Sequence, residues 1–460
     1  MTKELRLNAF TMATPDHLSP GLWRHPRSEA AVYTKRGYWT ELARILERGL
    51  FDGLFVADTL GVSDVYRGSR DTALADGLHV PLNDPLLTIP AMAEVTENLG
   101  FGVTVSMTYE HPFTLARRMS TLDHLTDGRI GWNMVTSALD SASRAFGQPG
   151  QLAHDSRYDM ADDYAALCYK LWEGSWAEDA LRRDRESGVY VDPTRVRTIH
   201  HAGPHFTLDA MHLCEPSPQR TPVLYQAGAS PRGRRFGAEN AECIFIGAPS
   251  KPVLKKFVGA VRQNVVEAGR DPADVLIFAE HTVIVAATAA EAAAKEADYR
   301  SYCSDEAALA LMSGWIGTDL SRYKLDDPFL HVESNAIRTA VEAMSSADPG
   351  RVWTIREIAA WCGIGGLSPV SVGSPVTVAD SLQSWAEETD IDGFNLAHAV
   401  THETFRDITA FLVPELQRRG AYKTAYRPGT LRHKLFGHGD RLPAHHPAVR
   451  HRIAPGAAAA

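Results

Sequence analysis

A TIM-type (β/α)8 barrel with insertions is the fold class the sequence predicts. Three features predict it: about eight short apolar, β-rich segments along 460 residues, helical patterns between them, and apolar character on both faces of those segments. Strands buried on both faces belong to parallel sheets covered by helices, whereas antiparallel strands with one wet face alternate. A doubly wound α/β sheet is the main rival.

In chain order the candidate strands are LRLNAF from Leu5, GLFVAD from Gly53, GFGVTVS from Gly100 and RIGWNMV from Arg129. PVLYQAG from Pro222, CIFIGA from Cys243, VLIFAEHTVIVA from Val275 and GFNLAHAV from Gly393 complete the set. Between them, YWTELARILERG and ADDYAALCYKLWEG repeat apolar groups every three or four residues, as packed helices do. Two stretches break the repeat: about 181–208, a loop with a candidate hairpin, and about 288–370, a helical insertion rich in Ala and Glu. Insertions at a barrel mouth shape the substrate pocket. The whole chain, 1–460, is expected to be one barrel domain with a C-terminal extension over 429–460, whose PGAAAA tail should fray.

Hydrophobic residues make up 44% and charged residues 22%, enough to bury a large core, and the formal net charge of −9 argues against a broad nucleic-acid or anionic-membrane surface. The N-terminus MTKELRLNAF is too polar for a signal segment, and no apolar run approaches the roughly 20 residues a bilayer requires. A cytoplasmic protein is expected. Cys168, Cys214, Cys243, Cys303 and Cys362 are scattered and never in CxxC pairs, which points to buried thiols rather than disulfides or a zinc site.

The strongest local signal is QAGASPRGRRFG, directly after a strand. Ser230 suits an N-cap and Pro231 the first helical position, so free backbone N–H groups and the helix dipole face any anion there. A capped helix with solvated arginines is an equal reading of that segment alone. His154 and Tyr158, four residues apart in HDSRYDMADDY, share a helical face and can both donate to a phosphate; packing is the commoner role of such a pair. Asp58 and Ser137 close the second and fourth candidate strands, where barrel enzymes build their sites. There is no Walker loop, no GxGxxG after a strand and no HExxH helix; His200–His201 and His445–His446 lack carboxylates at metal-ligand spacing and read as loop residues, so no metal is expected.

Taken together, GLWRHP, LERGLFDGLFVAD, TYEHPFTLARRMSTLDHLTDGRIGWNMVTS, HDSRYD, QAGASPRGR, DGFNL and VPELQRRG resemble the bacterial luciferase-like flavin monooxygenases almost end to end. The likeness is to the nitrilotriacetate, dibenzothiophene-sulfone and long-chain alkane monooxygenase subgroup; WRHP, NDPLL, TYEHP, CEPSPQRTPV and LRHKLFG bring it nearest to the alkane enzymes. The resemblance implies FMN at the barrel mouth, with Asp58, Ser137 and Thr104 toward the isoalloxazine and His154, Tyr158, Ala227, Gly228, Ala229 and Ser230 around the phosphate. It also implies FMNH2 delivered by a separate NAD(P)H-dependent flavin reductase, O2 as cosubstrate, and a homodimer. The general barrel rule favours phosphate sites after strands seven and eight, whereas this turn follows about the fifth.

His17 matches a polar pocket residue of the alkane enzymes, but Thr14 stands where they carry cysteine, and Ser63, His79, Ala138 and Leu311 replace larger or differently polar groups. The expected substrate is therefore a hydrophobic, partly polar organic molecule, hydroxylated or opened by Baeyer–Villiger insertion, with His17 and His79 as candidate catalytic residues. Two other readings stay open: a deazaflavin-dependent oxidoreductase of the same fold, and a flavin-binding protein with no oxygenation of its own.

Overall fold

The structure is a computed structural model and describes residues 3–228, 230–329 and 351–453. Eight parallel strands close on themselves: β1 Arg6–Met12, β2 Gly53–Ala57, β3 Gly100–Ser106, β4 Ile130–Val135, β5 Val223–Ala227, β6 Cys243–Ile246, β7 Leu276–Val285 and β8 Gly393–Ala397. Each neighbours its successor, and β1 pairs with β8 through Arg6 and Gly393 to shut the ring. The predicted barrel and each of its strands are present. Closure rather than an open sheet disposes of the doubly wound rival.

The interior carries the aromatic side chains Phe10, Phe55, Tyr225 and Phe278. The helix Leu431–Phe436 of the C-terminal extension plugs the N-terminal end of the barrel, with Leu431 and Leu435 packed into that cluster. A Cβ on Gly100, the first residue of β3, would lie 2.4 Å from Leu431, so the plug requires glycine at that strand start. The outer helices, among them Arg36–Arg48 and His154–Gly174, turn Trp39, Leu42, Leu46, Tyr164, Leu167 and Leu171 onto the barrel.

Around the predicted first insertion the structure holds two hairpins, Leu181–Asp184 with Val189–Val191 and Ile199–Ala202 with Thr207–Ala210. His200 and His201 thus sit on a strand, not in a loop, and pair with Asp209 and Asp163 at 3.1 and 2.8 Å. Within the second insertion, helices Ala289–Arg300, Asp305–Ile316 and Ile355–Cys362 are described. The latter two form a satellite core with Tyr66 and Leu78 over the C-terminal mouth. Part of that insertion, 330–350, and the PGAAAA tail lie outside the described residues. The short strand Val370–Gly373 extends the far end of β7 and was not foreseen, since four residues carry too little periodicity. Cys168, Cys243 and Cys362 are buried thiols as expected, while Cys214 and Cys303 are only half-buried. Among the described residues no helix is long and apolar enough to cross a membrane.

Candidate active site

A cavity of about 370 Å³ opens at the C-terminal ends of the strands, lined on its apolar side by Phe10, Met12, Leu18, Phe245, Trp315 and Leu367. That is within the usual size of a small-molecule site.

At one end of it lies a candidate anion cradle. Ser230 caps the helix Pro231–Asn240, its hydroxyl accepting from the Gly233 N–H at 3.1 Å, with Pro231 in the first turn. His154 begins the helix His154–Gly174 and lies one turn before Tyr158, with ring centroids 5.3 Å apart. The Tyr158 hydroxyl fills the hollow left by two glycines: a Cβ on Gly228 would lie 3.2 Å from it, and one on Gly233 only 2.7 Å. Burial raises the Tyr158 phenol above its ordinary range, so it stays a protonated donor. The turn follows β5, the fifth barrel strand, as the local sequence indicated and against the general rule for barrels.

Asp58, at the end of β2, and Ser137, after β4, face the same cavity. Ser137 holds a left-handed φ of 50° and its hydroxyl meets that of Ser106 at 2.8 Å. Burial, then Asp84, push the Asp58 carboxyl up to about 7. A raised acid penalises the folded state as pH climbs from about 4 towards 7, because only the unfolded chain ionises freely there. Asp58→Asn is therefore expected to change the melting temperature little near pH 4 and to raise it increasingly up to pH 7, with a constant gain above; a gain independent of pH would show that Asp58 is not the group responsible.

The third part is a cluster of histidines. The first βα loop is stitched to the second by the bridge Asp16–Leu78 and by His79 N–H to Asp16 C=O at 3.1 Å. This brings the His17 and His79 rings to 5.9 Å, with His398, just past β8, 6.3 Å from His17. His79, at a left-handed φ of 53°, donates Nε2–H to the His17 carbonyl at 2.7 Å, which leaves its Nδ1 as an acceptor. Strained non-glycine backbone at both His79 and Ser137 is of the kind that concentrates at functional sites. Burial lowers all three imidazoles, His79 and His398 to about 4, so they are neutral at neutral pH.

The sequence profile described as luciferase-like monooxygenase matches residues 17–392. The chain belongs to that family. Luciferase-like monooxygenases are flavin-dependent enzymes, and this member is 48% identical to the dimethyl-sulfide monooxygenase of Hyphomicrobium sulfonivorans over 99% of its own length and 95% of the relative's. It is 49% identical to the long-chain alkane monooxygenase of Geobacillus thermodenitrificans over 98% and 99%. The crystal structure of DmoA from Hyphomicrobium sulfonivorans and that of a long-chain alkane monooxygenase, each 48% identical, superpose with TM-scores of 0.92 and 0.91, each covering 98% of this chain and 96% and 100% of theirs. A riboflavin lyase solved with modified FMN and riboflavin is 38% identical, with a TM-score of 0.90 over 98% of this chain and 100% of that one.

Of the residues singled out from sequence, His17, His79, Asp58, Ser137, His154, Tyr158, Ala227, Gly228 and Ser230 line one cavity in this luciferase-like barrel. Thr104 is not among the lining residues; it is buried on β3 and its hydroxyl accepts from Asn133 at 2.9 Å. Ala229 lies outside the described residues. Of the altered pocket positions, Ser63, His79 and Ala138 line the cavity, whereas Thr14 turns to the Gly77 carbonyl and Leu311 packs in the satellite core. Sequence reasoning missed Arg157, Glu280 and His398. Arg157, beside Tyr158, is buried and donates to the Leu152 carbonyl at 2.7 Å. Its signal was a cation next to a candidate phosphate ligand, and that of Glu280 a charge inside an apolar strand.

Proposed function

We propose that this protein is a two-component monooxygenase that uses reduced FMN and O2 to place one oxygen atom in a hydrophobic, partly polar organic substrate. The observation that carries the proposal is one cavity joining an anion cradle, two polar groups at strand ends and a cluster of neutral histidines, all at the catalytic end of a luciferase-like barrel.

The residues fit FMN. Two glycine backbones leave the hollow under the Tyr158 hydroxyl, and His154, Tyr158, Ser230 and the helix N-terminus would hold the phosphate. Asp58 and Ser137 would meet the ring end. Bound there, reduced FMN supplies two electrons to O2, so that one oxygen atom enters the substrate and the other leaves as water. The chain's own work is to seat the flavin, keep water out with the Phe10, Leu18, Phe245, Trp315 and Leu367 wall, and hold the substrate by a few polar contacts. Neutral His17 and His79 can accept or donate a hydrogen bond without placing a charge in that dry space. The His79 Nδ1 and the Ser63 hydroxyl offer handles to a substrate with some polarity. The relatives' names attach to dimethyl sulfide, alkanes and riboflavin, so family membership alone does not select the substrate. A separate NAD(P)H-dependent flavin reductase, a homodimer and a cytoplasmic setting complete the proposal, with 1–460 acting as one domain.

The test couples the protein to a flavin reductase, NADH and FMN under 18O2 and screens hydrophobic ketones, esters and sulfides. One label per product molecule is expected; activity that ignores oxygen and follows reduced deazaflavin would overturn the proposal. His17→Ala should bind FMN within about twofold of wild type yet lower product per O2 consumed at least about tenfold.

A further inference from the structure

We infer that Glu280 is a specificity-determining residue whose carboxylic O–H donates a hydrogen bond to the carbonyl oxygen of an otherwise apolar substrate, as a ketone would present it. The inference rests on the monooxygenase reading and names the substrate class for that site.

Glu280 lies in the middle of β7, LIFAEHTVIV, a strand buried throughout, and its side chain lines the cavity. Across the register it faces Asn395 of β8, whose Oδ1 is already engaged by Asn8 Nδ2 at 2.9 Å. On the other side a Cβ at Gly247, just past β6, would lie 2.9 Å from Glu280 Oε2, so glycine there makes the room the carboxyl occupies. Among the described residues Oε1 has no hydrogen-bond partner and no ion pair involves Glu280. A buried carboxyl without a partner is costly to leave unsatisfied, and a ligand entering the cavity can satisfy it.

The groups packed around it decide which form it takes. Phe10 of β1, Phe245 of β6 and Gly247 just past β6 line the same cavity, Asn395 of β8 stands across the register, and the helix Ile355–Cys362 brings the Cys362 thiol, which burial and then Glu280 itself push up to about 12. Asp58, His17, His79, His154 and Arg157 line the same cavity. Burial alone accounts for a Glu280 carboxyl pushed up to about 8. At neutral pH the group is a neutral acid with one O–H to give, the state in which a buried carboxyl serves as a hydrogen-bond donor. A carbonyl oxygen accepts a hydrogen bond from that O–H, whereas an alkane has no acceptor and an aliphatic amine, an ammonium at neutral pH, has only donors. The substrate rather than the flavin is the partner, because the cradle and the ring contacts come from β2, β4 and β5, whereas β7 lies across the ring from β3.

The probes are 2-nonanone and n-nonylamine, titrated calorimetrically into the full-length protein with and without oxidised FMN at pH 7 and 9.5. 2-Nonanone affinity is expected to fall about 30-fold between those pH values as the acid ionises. Glu280→Gln, which keeps a donor, should stay within about threefold of wild type at pH 7 and lose the pH dependence; Glu280→Leu should lose at least about tenfold at pH 7. Preference for n-nonylamine, no measurable 2-nonanone binding, or ketone affinity unmoved by both substitutions would overturn the inference, as would Glu280→Leu losing FMN in place of the ketone. Ketone binding that behaves as expected without 18O-labelled product would refute the oxygenase reading alone, and labelled product with a Glu280-independent ketone preference would refute this inference alone.

Discussion

Replacing Gly233 with valine is expected to weaken FMN binding about 100-fold or more while the barrel stays folded. A Cβ at this position would lie 2.7 Å from the Tyr158 hydroxyl and 2.9 Å from the Ser230 Oγ, closer than real Cβ contacts come. Both of those groups are proposed phosphate ligands, so a single branched side chain displaces two donors at once. Hydrogen bonds to a charged group are worth about 1.5–3 kcal/mol each, and two of them correspond to roughly two to four powers of ten in affinity. The measurement is quenching of FMN fluorescence on titration with protein. Gly259→Ala is the control: nothing lies within 4 Å of the position its Cβ would take, and FMN binding should be unchanged. Retention of wild-type affinity by Gly233→Val would move the phosphate elsewhere in the cavity.

That cradle was the most legible part of the site because its signal is local. Ser230 and Pro231 announce a helix start whatever surrounds them, and the spacing of His154 and Tyr158 puts both on one face of a helix that begins at His154 itself. The strands were legible for a similar reason: GFGVTVS is apolar on both faces and ends where its turn signals begin. The other wall depended on contacts distant in sequence. His17, His79 and His398 meet only because one loop bridges Asp16 to Leu78 and the ring closes β8 against β1. Neither event leaves a periodic trace, and His17 and His79 were named through family resemblance. His398 could have been found as the histidine just beyond the last barrel strand, and Glu280 as the carboxylate in the midst of VLIFAEHTVIVA. The mouth insertion was legible only as helical composition. Its folding over the cavity depends on the satellite core formed by Leu311, Met312, Ile316, Ile355 and Ile358 with the second loop.

The second large effect is expected at the opposite end of the barrel. Arg432→Met should destabilise the protein by about 3–5 kcal/mol, because it leaves the Glu242 carboxylate buried without its cation. Arg432 sits on the plug helix Leu431–Phe436 and is wholly buried; its Nε meets Glu242 Oε1 at 2.7 Å and its Nη2 meets Oε2 at 2.9 Å. The same guanidinium donates to the carbonyls of Thr221, Pro222 and Asp440 at 2.9, 3.1 and 2.9 Å, which ties the extension to the entry of β5. Burial acts to raise the Glu242 carboxyl and Arg432 more than reverses it, leaving the group below its ordinary range. A depressed acid contributes stability that is present above the unfolded value of 4.5 and is lost as pH falls below it towards the folded value. The urea midpoint of wild type should therefore drop on acidification below that value, and Arg432→Met should lower it already at pH 7.5. The double variant Arg432→Met/Glu242→Gln should recover part of that loss, since no unpaired charge remains, although the three carbonyls still lack their donor. A double variant no more stable than Arg432→Met would mean that the carbonyl contacts, and not the ion pair, fasten the plug.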